Sequence, residues 1–178
     1  MNPELLGRQI YILERLSSLP RKILSLHGNE NISELVLHEL CRQECFNIDR
    51  AAYFIDNPDF DCLKGVVGHC RADFSPEGDG DVWQDPQGFG ARTKESAFNK
   101  KVRGFTQESA FKRKKGEKET ADLIAHELDL SCHGFYSWQM KHDNHGIFIY
   151  ERAPDHDGAD YDKFLPEGVM LLGFCPVF

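Results

Sequence analysis

The sequence predicts an α+β domain, with N-terminal helices followed by a mainly antiparallel sheet, one further helix and a long polar insertion. Three observations carry that expectation. Apolar residues recur at helical spacing through the first third, as in Leu6, Ile10, Leu13 and Leu16. The run "GFYSWQMKHDNHGIFIYER" places two aromatic-rich segments around the turn Asp143-Asn144-His145-Gly146, a hairpin pattern. Between them, residues 76–118 are poor in aliphatic side chains and rich in Gly, Pro and charge. At 178 residues the chain fits a single domain, 1–178, with 76–118 as a basic insertion inside it.

The elements follow in order. Asn2-Pro3-Glu4 supplies an N-cap, a first-turn proline and an acid at the positive end of a helix. Pro20 restarts the chain into a second short helix that stops at Gly28. Asn31 with Glu34 three residues on begins a third, about 32–45. "RAAYFIDN" and "LKGVVGHCR" are expected as strands joined across Asp56-Asn57-Pro58-Asp59. Thr120–Leu130 returns to helix on an apolar stripe of Leu123, Ile124 and Leu128, and "GVMLLGFCPVF" is expected to close the sheet as a buried strand.

Composition removes several function classes. No apolar run approaches the roughly 20 residues that span a bilayer, and the start lacks the basic and apolar regions of a signal peptide. Six cysteines in a chain able to build its own core are expected as reduced thiols, which places the protein in the cytoplasm. Net charge is −8, yet residues 92–118 hold ten Lys or Arg against three Glu. That segment says one thing twice: Thr-x-Glu-Ser-Ala-Phe occurs at 93–98 and at 106–111, each copy followed by a basic cluster. Each Thr can cap a short helical turn that offers one Phe, with Gly104 as the break. A solvated or self-docking insert is the leading expectation. The binding alternative uses Lys100, Lys101, Arg103, Lys112, Arg113, Lys114 and Lys115 on phosphates, with Phe98, Phe105 and Phe111 stacked on bases. An acidic chain repels a polyanion outside that patch, so nucleic acid is the less favoured partner.

The most ordered chemical constellation is "ELVLHELCRQEC". Glu34, His38, Cys41 and Cys45 fall at i, i+4, i+7 and i+11, within about 60° of a helix circumference. Carboxylate, imidazole and thiolate together suit zinc or iron. His69-Cys70, Cys132-His133 and the pair His142/His145 are the donors available to complete such a set. Core packing of the same residues is the stronger expectation, because Ile32, Leu35, Val36, Leu37 and Leu40 already cover that helix.

Recognised catalytic motifs are incomplete. His38-Glu39 and His126-Glu127 open like a zinc-protease helix, but Arg42 and Leu130 stand where the second histidine is needed. Cys70 beside His69, or Cys132 beside His133, would be a poor catalytic pair, since neighbours on a strand point to opposite faces. "DHDGADYD" has a calcium-loop composition without the spacing. The function expected is therefore a soluble binding or interaction protein whose partner is a ligand, another protein or a second copy of the chain. A metal-dependent enzyme, a hydrolase, is the alternative, and a nucleic-acid-associated protein the second.

Overall fold

A computed structural model describes residues 3–74, 80–131, 133–156 and 160–177. Its elements are α1 (Pro3–Ser25), α2 (Ile32–Cys41), β1 (Ile48–Asn57), β2 (Cys62–Cys70), α3 (Pro86–Glu95), α4 (Ala97–Gly104), β3 (Thr106–Gln107), α5 (Glu117–Glu127), β4 (His133–Gln139), β5 (His145–Arg152) and α6 (Leu165–Met170). The five strands form one antiparallel sheet in the order β3-β2-β1-β5-β4. The α+β class, with helices leading and an antiparallel sheet following, is thus the observed one. No helix among the described residues is long and apolar enough to cross a membrane.

Strand β1 is the spine because it is apolar on both faces. Ala51 and Tyr53 join one core with Val67, Phe148 and Tyr150, covered by α1, α2 and α6. Ala52 and Phe54 join the other with Leu63, Ile147 and Ile149, covered by Val102 of α4 and by Ala121, Ile124 and Ala125 of α5. Successive side chains of a strand point to opposite faces, so this double burial needs a helical layer on each side of the sheet. Helix α2 is buried along its whole length, including Ser33, Glu34, His38 and Glu39. It lies between the sheet and a small third cluster built from Leu35, Val82 and Phe89.

Four expectations are corrected. Residues 3–25 form one helix with Pro20 inside it, where two helices were expected. Proline has no N–H to give the carbonyl four residues back, but burial of Leu19 and Ile23 on either side holds the continuation. Helix α2 ends at Cys41, so Cys45 lies in the following turn, where its N–H donates to the Arg42 carbonyl at 3.0 Å. "GVMLLGFCPVF" is helical, continuing from α6 into a 3-10 turn at Leu171–Phe174, and its Val169, Leu172 and Cys175 cover the sheet's first face. Residues 86–107 carry two helices and a strand with fully buried Phe89 and Val102, so this part of the expected insertion belongs to the core. Residues 75–79, also within that range or beside it, lie outside the described residues.

The doubled hexapeptide folds two different ways. In the first copy Ser96, not Thr93, caps α4, its Oγ accepting from Asn99 N at 3.1 Å, while Thr93 sits at the end of α3. The second copy opens as β3 and turns at 110–114 without forming a helix. Its N–H groups are instead drawn to aspartates of the β1–β2 hairpin. Ser109 N donates to Asp61 Oδ1 at 3.1 Å and Phe111 N to Asp56 Oδ2 at 3.0 Å.

Helix α4 also finishes the sheet. β3 pairs only with Leu63 and Lys64, leaving the rest of β2 as an edge. There the Gly65 N–H donates to the Phe105 carbonyl at 3.0 Å, and the Gly68 N–H donates to Asn99 Oδ1 at 2.8 Å. Asn99, 1% exposed, returns its own amide to the Thr93 carbonyl at 3.0 Å. A side-chain amide thus does the work of a neighbouring strand and closes an edge that would otherwise attract another chain.

Candidate ligand-binding clefts

Two cavities flank the end of the sheet where β1 runs into its turn. Alternation along β1 assigns them: Ile55 and Asn57 line the first, Asp56 the second.

The first is a cleft of about 820 Å³, within the size range of small-ligand sites. Its back wall is the start of α2, where Glu30, Asn31, Ser33 and Glu34 stand at the positive end of the helix. Helix α3 closes one side: Asn31 Nδ2 donates to the Pro86 carbonyl at 2.5 Å, and Gly90 leaves room for the Asn31 amide. Ile55, Val66, Met140 and Val177 supply an apolar side, and Lys64, Lys94 and Arg103 bring three cations.

Glu34 anchors the chemistry of this cleft. It is 5% exposed and its carboxyl is held above the ordinary carboxylate range, chiefly by burial. Its own backbone N–H, then Arg103, Ser33 and Lys94, pull in the opposite direction. Arg103 Nη1 lies 3.0 Å from Glu34 Oε1, and Ser33 Oγ donates to Oε2 at 3.1 Å. The Arg103 side chain lines the cleft and is itself about half exposed, at 47%.

The second cavity, of about 600 Å³, lies on the opposite face between β1, β5 and the 110–117 segment. Phe111 stacks on His145 with ring centroids 4.0 Å apart and remains 54% exposed. Lys112, Lys114 and Lys115 line it, and among the described residues their ammonium groups make no ion pair or hydrogen bond, although Lys112 lies near enough to Asp61 to help lower its carboxyl. Asp56 lines the wall at 1% exposure; one oxygen takes the Phe111 N–H, and the other, Oδ1, has no hydrogen-bond partner.

The residues expected to bind are divided among these places. Lys100 pairs with Glu95 at 3.1 Å and Lys101 with Asp129 at 3.0 Å. Arg113 forms a two-point ion pair with Asp61 and a further one with Glu108 at 2.9 Å. That hydrogen bonding holds the Asp61 carboxyl down at about 2. Phe98 packs on the second core and Phe105 stands edge-on to Phe54 at 5.2 Å. Only Phe111 and its three lysines remain turned outward together. Asp56, Lys64 and Lys94 were missed in the sequence, although a carboxylate within the apolar run "AAYFIDN" was a readable signal.

The metal stripe does not assemble. Glu34 turns to Arg103, Cys41 and Cys45 enter the first core, and His38 packs against His69, Phe74 and Phe89 at centroid distances of 5.5, 5.0 and 4.9 Å. Among the described residues no three His, Cys, Asp or Glu side chains gather as a metal site. Burial pushes the Cys45 thiol up to about 12 and Cys41 well above its ordinary value, away from the thiolate a metal needs. Of the other donors, Cys132 lies outside the described residues, as do 157–159 of the acidic loop. His142 is exposed at the β4–β5 turn.

His69 has a consequence for pH. Burial, with His38 and Arg71 nearby, holds its imidazole well below the usual value of 6.5. Below pH 6.5 the unfolded chain takes up a proton there that the folded chain refuses, so this contribution is whole above 6.5 and is lost as pH falls. The slope is at most about 1.4 kcal/mol per pH unit. The variant His69→Phe, which keeps the stack on Phe74, is expected to flatten stability between pH 6.5 and 5.5 in urea titrations; an unchanged slope would assign the linkage elsewhere. The raised Glu34 carboxyl works in the opposite sense above pH 4.5 and is common to both proteins.

The chain matches no protein-family model, no curated protein and no solved structure.

Proposed function

We propose that the protein is a binding protein that takes a small organic anion, a carboxylate or phosphate ester with an apolar body, in the first cleft. The observation that carries this reading is the Glu34–Arg103 pair. A carboxylate buried in the first turn of α2 holds a half-exposed guanidinium at the cleft, with Lys94 and Lys64 alongside. The buried carboxylate tethers one end of the half-exposed guanidinium, so Arg103 is oriented before any ligand arrives. The helix end adds to the same positive field, and Ile55, Val66 and Met140 offer contact to the apolar part. The free thiols of Cys41, Cys45, Cys62, Cys70 and Cys175 support action in the cytoplasm.

The test is a thermal-shift panel of carboxylic acids and phosphate monoesters, each beside its neutral amide or alcohol. A binder present at a hundredfold excess over its Kd should stabilise the fold by about 2.7 kcal/mol, or roughly 5–10 °C. Lys94→Gln should weaken that binder about tenfold while leaving the unliganded Tm unchanged. Equal shifts from anions and their neutral analogues would overturn the reading.

A further inference from the structure

We propose that the second cavity binds a phosphorylated nucleoside, free or as part of a single strand. Its base stacks on Phe111, its phosphate lies among Lys112, Lys114 and Lys115, and a base N–H donates to Asp56. This site is separate from the first cleft and lies across the sheet from it.

Three independent features converge on that chemistry. Among the described residues Asp56 Oδ1 is a buried acceptor with nothing to accept, a condition that costs stability until a donor arrives. The neighbouring cavity, about 600 Å³, is large enough for a ligand that brings the missing N–H. Phe111 lies on His145 by one face and is 54% exposed, so an aromatic platform stands at the same cavity. Finally, three lysines within four residues line the cavity and, among the described residues, make no ion pair or hydrogen bond, in a protein of net charge −8. A nucleotide presents an aromatic ring, N–H donors and a dianion on one small frame. A simple anion would use the lysines alone, and a simple amine Asp56 alone.

The platform is also held ready. Asp56 binds the Phe111 N–H, Asp61 binds both the Ser109 N–H and Arg113, and Lys112 N donates to Ser109 Oγ at 3.0 Å. Lys114 N and Lys115 N close the turn on the carbonyls of Phe111 and Ala110, each at 3.0 Å. Lys114 adopts a left-handed conformation, φ 55°, which turns the backbone between Arg113 and Lys115. The single competing anion on the 110–117 segment of the lining, Glu117, already accepts from Ser137 Oγ at 2.9 Å.

The experiment is calorimetric titration of the full chain at low salt with the common ribonucleoside monophosphates, their nucleosides, ribose 5-phosphate and a short single-stranded oligonucleotide. At least one monophosphate should bind, with its nucleoside and ribose phosphate each about tenfold weaker or more. Phe111→Ala should weaken binding about tenfold, the range of one base stack. Neutralising Lys112, Lys114 and Lys115 to Gln should weaken it and flatten its salt dependence. Asp56→Asn, which retains an acceptor for the Phe111 N–H and replaces the other oxygen with a donor, should change the preferred base. Lys94→Gln should leave this binding untouched, separating it from the first cleft. Tight binding by the oligonucleotide with the same Phe111 dependence supports the site and names nucleic acid as the source. If ribose phosphate binds as well as any nucleotide, if Phe111→Ala is silent, or if neither nucleotide nor strand binds, the proposal is overturned.

Discussion

Gly65→Ala is expected to cost about 3 kcal/mol or more, lowering Tm by roughly 6–12 °C for a chain of this size. Alanine is normally the better residue in a strand, so propensity alone gives the opposite sign. Sterics decide it. A Cβ at Gly65 would lie inside contact distance of the Val102 carbonyl oxygen, 2.7 Å from its carbonyl carbon. The main chain of α4 cannot rotate away as a side chain can, and the Gly65 N–H is tied to Phe105 O beside it. Gly68 makes a useful contrast, because a Cβ there meets the Val102 side chain, with Cγ2 at 2.6 Å. Val102→Ala should therefore partly rescue Gly68→Ala and do nothing for Gly65→Ala. Thermal or urea unfolding of the four variants reads this directly. An unchanged Tm in Gly65→Ala would mean that α4 does not sit on β2 as described.

Removing residues 92–115 should abolish cooperative unfolding altogether. The excision takes Val102 from the second core and Arg103 from the buried Glu34 carboxylate. It also strips Asn99 from the Gly68 N–H and Phe105 from the Gly65 N–H, exposing an edge made smooth by two glycines. Losing the partner of a buried charge alone costs about 3–5 kcal/mol, reduced here because Arg103 is half exposed. That is a large share of the 5–15 kcal/mol that holds a typical domain together. Circular dichroism through a urea titration would show a broad, featureless decline. A sharp transition near the parent midpoint would show that the segment is peripheral after all.

The expectation of a long loop or insertion over residues 76–118 failed at 86–107 for an identifiable reason. Helices α3 and α4 contain few aliphatic residues, and their contribution rests on a few fully buried groups, Phe89, Val102 and Asn99. Composition counts those as a polar stretch, whereas the sheet needs only one valine seated between two glycines. The C-terminal "GVMLLGF" failed in the other direction: a short apolar run suits a buried strand or a buried helix equally, and periodicity cannot separate them. The metal stripe was correctly spaced on an ideal helix, but α2 ends at Cys41, and each side chain found a neighbour the sequence could not show.

Leu6, Ile10 and Leu13 are exposed where Ile12, Leu19 and Ile23 are buried, and the β4–β5 turn precedes His145. The sequence by itself therefore determined only coarser local features: the turn after β1, helix in α1 and α2, the aromatic strands, and a basic segment in an acidic chain. These follow from side-chain volume, branching and charge at near positions, where the backbone's own geometry sets the distances. Tertiary structure decided the rest. It made two hexapeptides that differ only at Lys94 and Gln107 fold differently, because one lies over the glycines of β2 and the other within reach of Asp56 and Asp61. It placed Glu34 beside Arg103, 69 residues later, and gathered Lys112, Lys114 and Lys115 along one cavity. Such pairings depend on which surfaces meet across the sheet, and burial then raises the energetic weight of every polar group caught between them.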